Sequence, residues 1–146
     1  MEYFTIDTST VISRKLSDLP DNFLFSGVVF MELMASAKDD SRRRTLESNY
    51  RQYAKDNSLI TPDADDWLMT GKVLFWLAQG RKREAKGKFP RLIPGASQRM
   101  ALDVLIAVSA RRWRAAVITD NWNDFRSIQN YCDVKIVKAS EFFNSP

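Results

Sequence analysis

Five acidic residues draw attention by where they fall: Asp7, Glu32, Asp103, Asp120 and Asp124. Asp7 closes a short alternating run, Glu32 follows an apolar one, and Asp103 is the only charged residue from Met100 to Ala110. A carboxylate inside so apolar a stretch gives up hydration worth several kcal/mol unless something pairs with it. Carboxylates gathered together also raise one another's pKa unless a cation intervenes. Mg²⁺ and Mn²⁺ suit such a cluster, because they prefer oxygen ligands and keep waters or phosphate oxygens as the rest of their shell. A site of that kind lowers the pKa of bound water, orients it for in-line attack and neutralises charge on a reacting phosphate.

Composition narrows the chemistry further. The 146 residues contain no histidine, which removes the usual neutral-pH general base, His-based metal sites and every His-containing triad. The single cysteine, Cys132, can form neither an internal disulfide nor a multi-Cys zinc site and reads as a packing residue or surface thiol. Net charge is +4, and the segment Arg81–Lys88 alone, with five bases and one acid, carries as much. Arg81, Lys82, Arg83, Lys86 and Lys88 thus form a candidate contact for a polyanion that must also meet the metal. Trp113 and Trp122 are candidates for stacking on bases, with a core or interface role the stronger reading for Trp113.

These residues need elements to carry them. Glu2–Ile6 reads as a first strand, followed by Asp7-Thr8-Ser9-Thr10 opening a short helix. The stretch 16–22 reads as a turn. Leu24–Phe30 is β-branched enough for a second strand running into the helical MELMASA, which places Glu32 at a strand-to-helix junction. Asp39–Asn57 reads as an amphipathic surface helix with Arg42–Arg44 on its solvated face. Thr61-Pro62-Asp63-Ala64-Asp65-Asp66 reads as a helix start, its acids complementing the dipole rather than holding a metal. That helix runs to Gly80; a loop with Pro90 and Pro94 follows, and Ser97 can cap the helix bearing Asp103. Ala115–Ile118 reads as a strand, Trp122–Asn130 as a helix, Val134–Val137 as a last strand and the residues from about 139 as a tail.

Strands alternating with helices indicate one α/β domain, three-layered, with a largely parallel central sheet of four to five strands. In such sheets ligands bind outside the carboxyl ends of the strands, where the acids fall. No apolar run approaches the roughly 18 residues that span a membrane, and the N-terminus lacks the basic start of a signal peptide, so a cytoplasmic location is expected.

TIDTSTVIS, VVFMEL, ALDVLIAVSA and VITDNWNDF, in this order, resemble the PIN-domain ribonucleases, above all the VapC-type toxins of toxin–antitoxin pairs. The resemblance runs from Tyr3 to about Val137. It implies a PIN-like fold and Mg²⁺- or Mn²⁺-dependent cleavage of RNA leaving a 3′-hydroxyl and a 5′-phosphate. Asp7, Glu32 and Asp103 are then the first three catalytic acids. Thr119, Asn121, Asp124 and Phe125 match the family's Thr-x-Asn-x-x-acid-Phe pattern and make Asp124 the fourth, with Asp120 in second place. Many relatives have Asp where this chain has Asn121. Asp7, Asp103 and Asp124 are the implied metal ligands, with Thr8, Thr119, Asp120 and Asn121 in support. The resemblance also implies a cognate antitoxin protein and a homodimer, for which the aromatic-rich helix Trp67–Leu77 offers apolar surface.

Each acid has a plainer alternative: Asp7 as a helix cap, Glu32 as a solvated first-turn acid, Asp103 as an unpaired structural acid, Asp120 as a turn residue, Asp124 as a surface residue. Two other functions compete, a metal-dependent DNA nuclease and a non-catalytic RNA-binding module of the same fold. A phospho-receiver domain fits poorly, since Asp7 lacks the paired acid such a site needs.

Overall fold

The structure is a computed structural model that describes residues 2–14, 19, 21–84, 86 and 96–143. Its elements run β1 (Tyr3–Ile6), α1 (Thr8–Arg14), β2 (Phe25–Ser26), α2 (Gly27–Ala35), α3 (Asp40–Lys55), β3 (Leu59–Ile60), α4 (Ala64–Glu84), α5 (Ala96–Arg112), β4 (Ala115–Thr119), α6 (Trp122–Gln129), β5 (Ile136–Lys138) and α7 (Ala139–Phe143).

All pairings between these strands are parallel. β4 lies between β1 and β5, with Ile6 opposite Ile118 and Thr119 opposite Lys138. β2 and β3 form a second pair, joined to β1 by a bridge from Phe4 to Phe23 and by the Leu24 N–H donating to the Phe4 carbonyl. The spatial order is therefore β3-β2-β1-β4-β5, a three-stranded sheet with a two-stranded extension. All five residues of β4 are buried, which requires cover on both faces and explains its unbroken apolar run. α1, α5 and α7 pack on β4, and α4 packs along α5. The core joins Ile6, Val29, Val104, Ile106, Val117, Ile118, Phe125 and Ile128, all at 2% exposure or less. No helix among the described residues is long and apolar enough to cross a membrane.

Several boundaries differ from expectation for identifiable reasons. Only Phe25–Ser26 of the run 24–30 is strand, because the Ser26 hydroxyl accepts the Val28 N–H and starts α2 there. Val28–Phe30 are β-branched or aromatic yet helical, their burial outweighing propensity. α4 starts at Ala64 rather than Thr61, through a reciprocal cap in which the Asp63 N–H donates to Asp66 and the Asp66 N–H donates to Asp63. It also continues past Gly80 to Glu84, so Arg81, Lys82 and Arg83 form its last turn, where cations suit the dipole. Ser97 lies inside α5 instead of capping it. The expected tail is the helix α7, with Ala139 buried and Phe142 packed 5.0 Å from Phe4. The turn over 16–22 and the loop over 88–95, with Lys88, fall largely outside the described residues.

Candidate active site

The carboxyl edge of the sheet receives acids from four elements. Asp7 follows the last residue of β1 and is 1% exposed. Its Oδ2 accepts a bond from the Ser9 hydroxyl at 2.9 Å, while its Oδ1 is buried with no hydrogen-bond partner. Burial pushes the Asp7 carboxyl up from its ordinary value; the Thr10, Ser9 and Thr119 hydroxyls around it offset part of that rise.

Glu32 lies in the middle of α2 rather than at a strand junction, because the helix begins at Gly27. The Thr8 hydroxyl donates to its Oε1 at 2.6 Å, tying the first turn of α1 to α2. Asp103 comes from within α5 and is half-buried. Its carboxyl is pushed up to about 7, first by desolvation and then by the charges of Asp7, Glu32 and Asp124, with Arg99 acting weakly the other way. Three acids widely separated in sequence thus lie near enough to act on Asp103.

Asp124 sits in the first turn of α6, its Oδ2 held by the Asn121 side-chain amide at 2.9 Å. Asn121 is itself fixed by its backbone N–H donating to Thr119 Oγ1 at 2.8 Å. Asp120 does not join the group. Its carboxylate turns outward to Arg14, whose Nε and Nη2 donate to Oδ2 and Oδ1 at 2.9 and 2.8 Å, and this pairing holds its pKa below the usual range.

Asp7 is the more enclosed of the two, at 1% exposure against a half-buried Asp103. Three residues that sequence reasoning passed over also shape the site: Ser9 and Thr10, which surround Asp7, and Arg14. The run of hydroxyls 8–10 after a strand-end acid was a usable signal for the first two; nothing marked Arg14.

The donor set can be tested against a divalent ion. An orphaned buried carboxylate oxygen on Asp7, hard oxygen donors throughout and an excess of negative charge all fit Mg²⁺ or Mn²⁺. Among the described residues, no three acidic or cysteine side chains stand close enough to grip one ion in their present positions.

Of the basic segment, Arg81 and Lys82 are half-buried at the end of α4, and Arg83 and Lys86 are exposed. Beside Asn121, the ring of Trp122 has the cations of Lys138 and Arg126 at 5.0 and 5.9 Å. On α4, Trp67, Leu68 and Phe75 are about 60% exposed and leave an apolar face open.

No family model and no curated protein matches the sequence. Solved structures do. A chain of FitAB bound to an IR36 DNA fragment aligns over 93% of this chain and 94% of its own, with 15% identity and a TM-score of 0.57. DNA-bound VapBC from Salmonella typhimurium aligns over 95% and 99%, with 17% identity and a TM-score of 0.55. VapBC-1 from nontypeable Haemophilus influenzae aligns over 94% and 98%, with 21% identity and a TM-score of 0.52. The chain shares their fold. It is the PIN-like α/β fold that the four sequence segments pointed to, and the likeness spans nearly the whole of each chain.

Proposed function

We propose that this protein is a metal-dependent endoribonuclease, the toxin of a type II toxin–antitoxin pair. One observation carries the reading: Asp103 feels the charges of Asp7, Glu32 and Asp124, each delivered by a different element to one edge of a parallel sheet. Asp7, Asp103 and Asp124 are the residues that would hold Mg²⁺ or Mn²⁺, with Glu32 as the remaining catalytic acid. The bound ion would supply a more acidic water and charge neutralisation at the scissile phosphate.

The chain's own residues prepare that chemistry. Ser9 fixes one oxygen of Asp7 and leaves the other free to bind. Thr8 holds Glu32 in place, and Thr119 and Asn121 orient Asp124. Burial and the neighbouring acids push the Asp103 carboxyl up to about 7, which favours its protonated form and eases repulsion within the group. Arg81, Lys82, Arg83, Lys86 and Lys88 are assigned to the RNA backbone, where they set affinity rather than sequence choice. The likeness to chains of VapBC and FitAB supports a protein antitoxin as partner, and the open apolar face of α4 supports a homodimer or antitoxin contact there.

The test is induced expression of the wild type beside Asp103→Asn, with sequencing of cellular RNA ends. Growth arrest and discrete cuts confined to the wild type are expected, and purified protein should cleave RNA with Mn²⁺ or Mg²⁺ but not in EDTA. Cleavage that persists in EDTA sinks the metal mechanism. Identical RNA-end profiles favour a non-catalytic RNA-binding module. Cuts confined to DNA would point to the other nuclease class.

A further inference from the structure

Asp120 stands at the carboxyl edge of the sheet yet outside the acid group, and its partners account for it. We infer that Arg14 and Asp120 are a positioning pair that sets how far apart the two halves of the acid site stand; the inference rests on the nuclease reading above.

α1 is seven residues long, too short to hold itself in place. It begins immediately after Asp7 and carries Thr8 and Ser9, so its placement decides where Asp7 and the Thr8–Glu32 bond lie. Three contacts fasten it to the turn after β4. The Asp120 N–H donates to Thr10 Oγ1 at 2.9 Å, the Arg14 fork grips the Asp120 carboxylate through two bonds, and the Ser13 hydroxyl reaches Oδ2 at 3.4 Å. Thr10 and Arg14 are four residues apart and share a helix face, so one side of α1 meets Asp120 twice.

That same turn presents the other half of the site. Thr119 and Asn121 flank Asp120, and the Asn121 side chain holds Asp124. The fork therefore joins the segment bearing Asp7 to the segment bearing Asp124. A bidentate guanidinium–carboxylate pair fixes orientation as well as distance, which a single bond does not. Arg14 also lies 5.6 Å from the ring centre of Phe143, so α7 backs the fork from a third side. A guanidinium engaged in this way is committed to the protein rather than offered to RNA.

The experiment uses the full chain carrying Arg14→Met, Asp120→Asn, Arg14→Lys or the reversed pair Arg14→Asp with Asp120→Arg. Arg43→Met, which breaks an exposed ion pair with Asp40 on α3, is the control. Arg14→Met and Asp120→Asn are expected to lower kcat on RNA by about 30–100-fold, the cost of roughly an ångström of misplacement. KM should change less than about twofold, because neither residue is assigned to RNA contact. Mn²⁺ affinity measured by calorimetry without RNA should fall in both, and the reversed pair should recover most of both losses. Arg43→Met should match the wild type. Should Arg14→Met fail to fold, Asp120→Asn and Arg14→Lys, which keep side-chain size, supply the same readouts. A raised KM at unchanged kcat would place Arg14 on the RNA and overturn the inference. So would a lower melting temperature with kcat and Mn²⁺ affinity intact, which is a merely structural role. A wild type that cleaves RNA while the fork variants keep pace overturns the fork alone; a wild type that cleaves none overturns the nuclease reading and this inference with it.

Discussion

Two groups of acids in this molecule look alike in sequence and differ in almost every physical respect. At the start of α4, Asp66 is 3% exposed, as enclosed as Asp7 at 1%. Asp66 Oδ2 accepts both the Asp63 N–H at 3.0 Å and the Arg112 guanidinium at 2.9 Å, and the same Arg112 Nε lies 3.1 Å from Asp63. Every demand a buried carboxylate makes is met there by the protein itself. At the sheet edge, Asp7 keeps an oxygen with no donor, and Asp103 is surrounded by acids with Arg99 as the cation acting against them. The first group holds the fold together. The second costs stability, and a cost of that kind points to a partner from outside.

The contrast can be broken most sharply through Asp103. Replacement by Asn is expected to cut RNA cleavage by about 10³-fold, the several kcal/mol that an ion held by carboxylates contributes at the transition state. Wild-type rates from the variant in a cleavage assay would remove the distinction between the two groups. Asp66→Ala, by comparison, should leave cleavage per folded molecule intact. It should lower unfolding free energy by about 2–3 kcal/mol, since it strands Arg112 and an N–H of the cap; the figure is moderated because Arg112 is partly open to water. Denaturant melts of the two variants side by side measure this.

A pH series sharpens the comparison further. A carboxyl raised to about 7 in the folded chain favours folding when protonated. Its penalty therefore begins above the ordinary value of 3.8, grows as pH rises and is complete above about 7. In metal-free buffer Asp103→Asn should thus be more stable than wild type by up to about 4 kcal/mol at pH 8 and no different near pH 4. Because binding must displace that proton, Mn²⁺ should raise the wild-type melting temperature more at pH 8 than at pH 6. Thermal melts with and without EDTA read both effects, and a flat pH response would refute the coupling. The smallest change concerns the cations. Arg81, Arg83 and Lys86 changed together to Ala should raise KM by about tenfold, leave kcat alone and flatten the salt dependence of RNA binding.

The segments that could be read from sequence are those in which local chemistry and tertiary context agree. The β1–Asp7–hydroxyl run, the uninterrupted strand β4 and the acidic first turn of α4 each carry their own explanation in neighbouring residues. β3 was invisible because two residues, Leu59 and Ile60, leave no periodicity to detect. The short β2 was overestimated because Val28–Phe30 are helical by burial against the core rather than by propensity. For the candidate site, position and resemblance singled out Asp7, Glu32, Asp103 and Asp124 and ranked Asp124 ahead of Asp120. What they did not record is the contact that turns Asp120 away from the other acids, since it comes from Arg14, 106 positions from Asp120.

β1 has one full ladder partner, β4, and the two lie far apart in the sequence, with Tyr3 opposite Ala115. From Asp7 to Asp124 is 124 − 7 = 117 residues out of 146. During synthesis, which proceeds at about 5–20 residues per second, the first strand must wait for most of the chain before its neighbour exists. The acids therefore cannot meet until most of the polypeptide between them has been made, so the candidate site assembles late in synthesis.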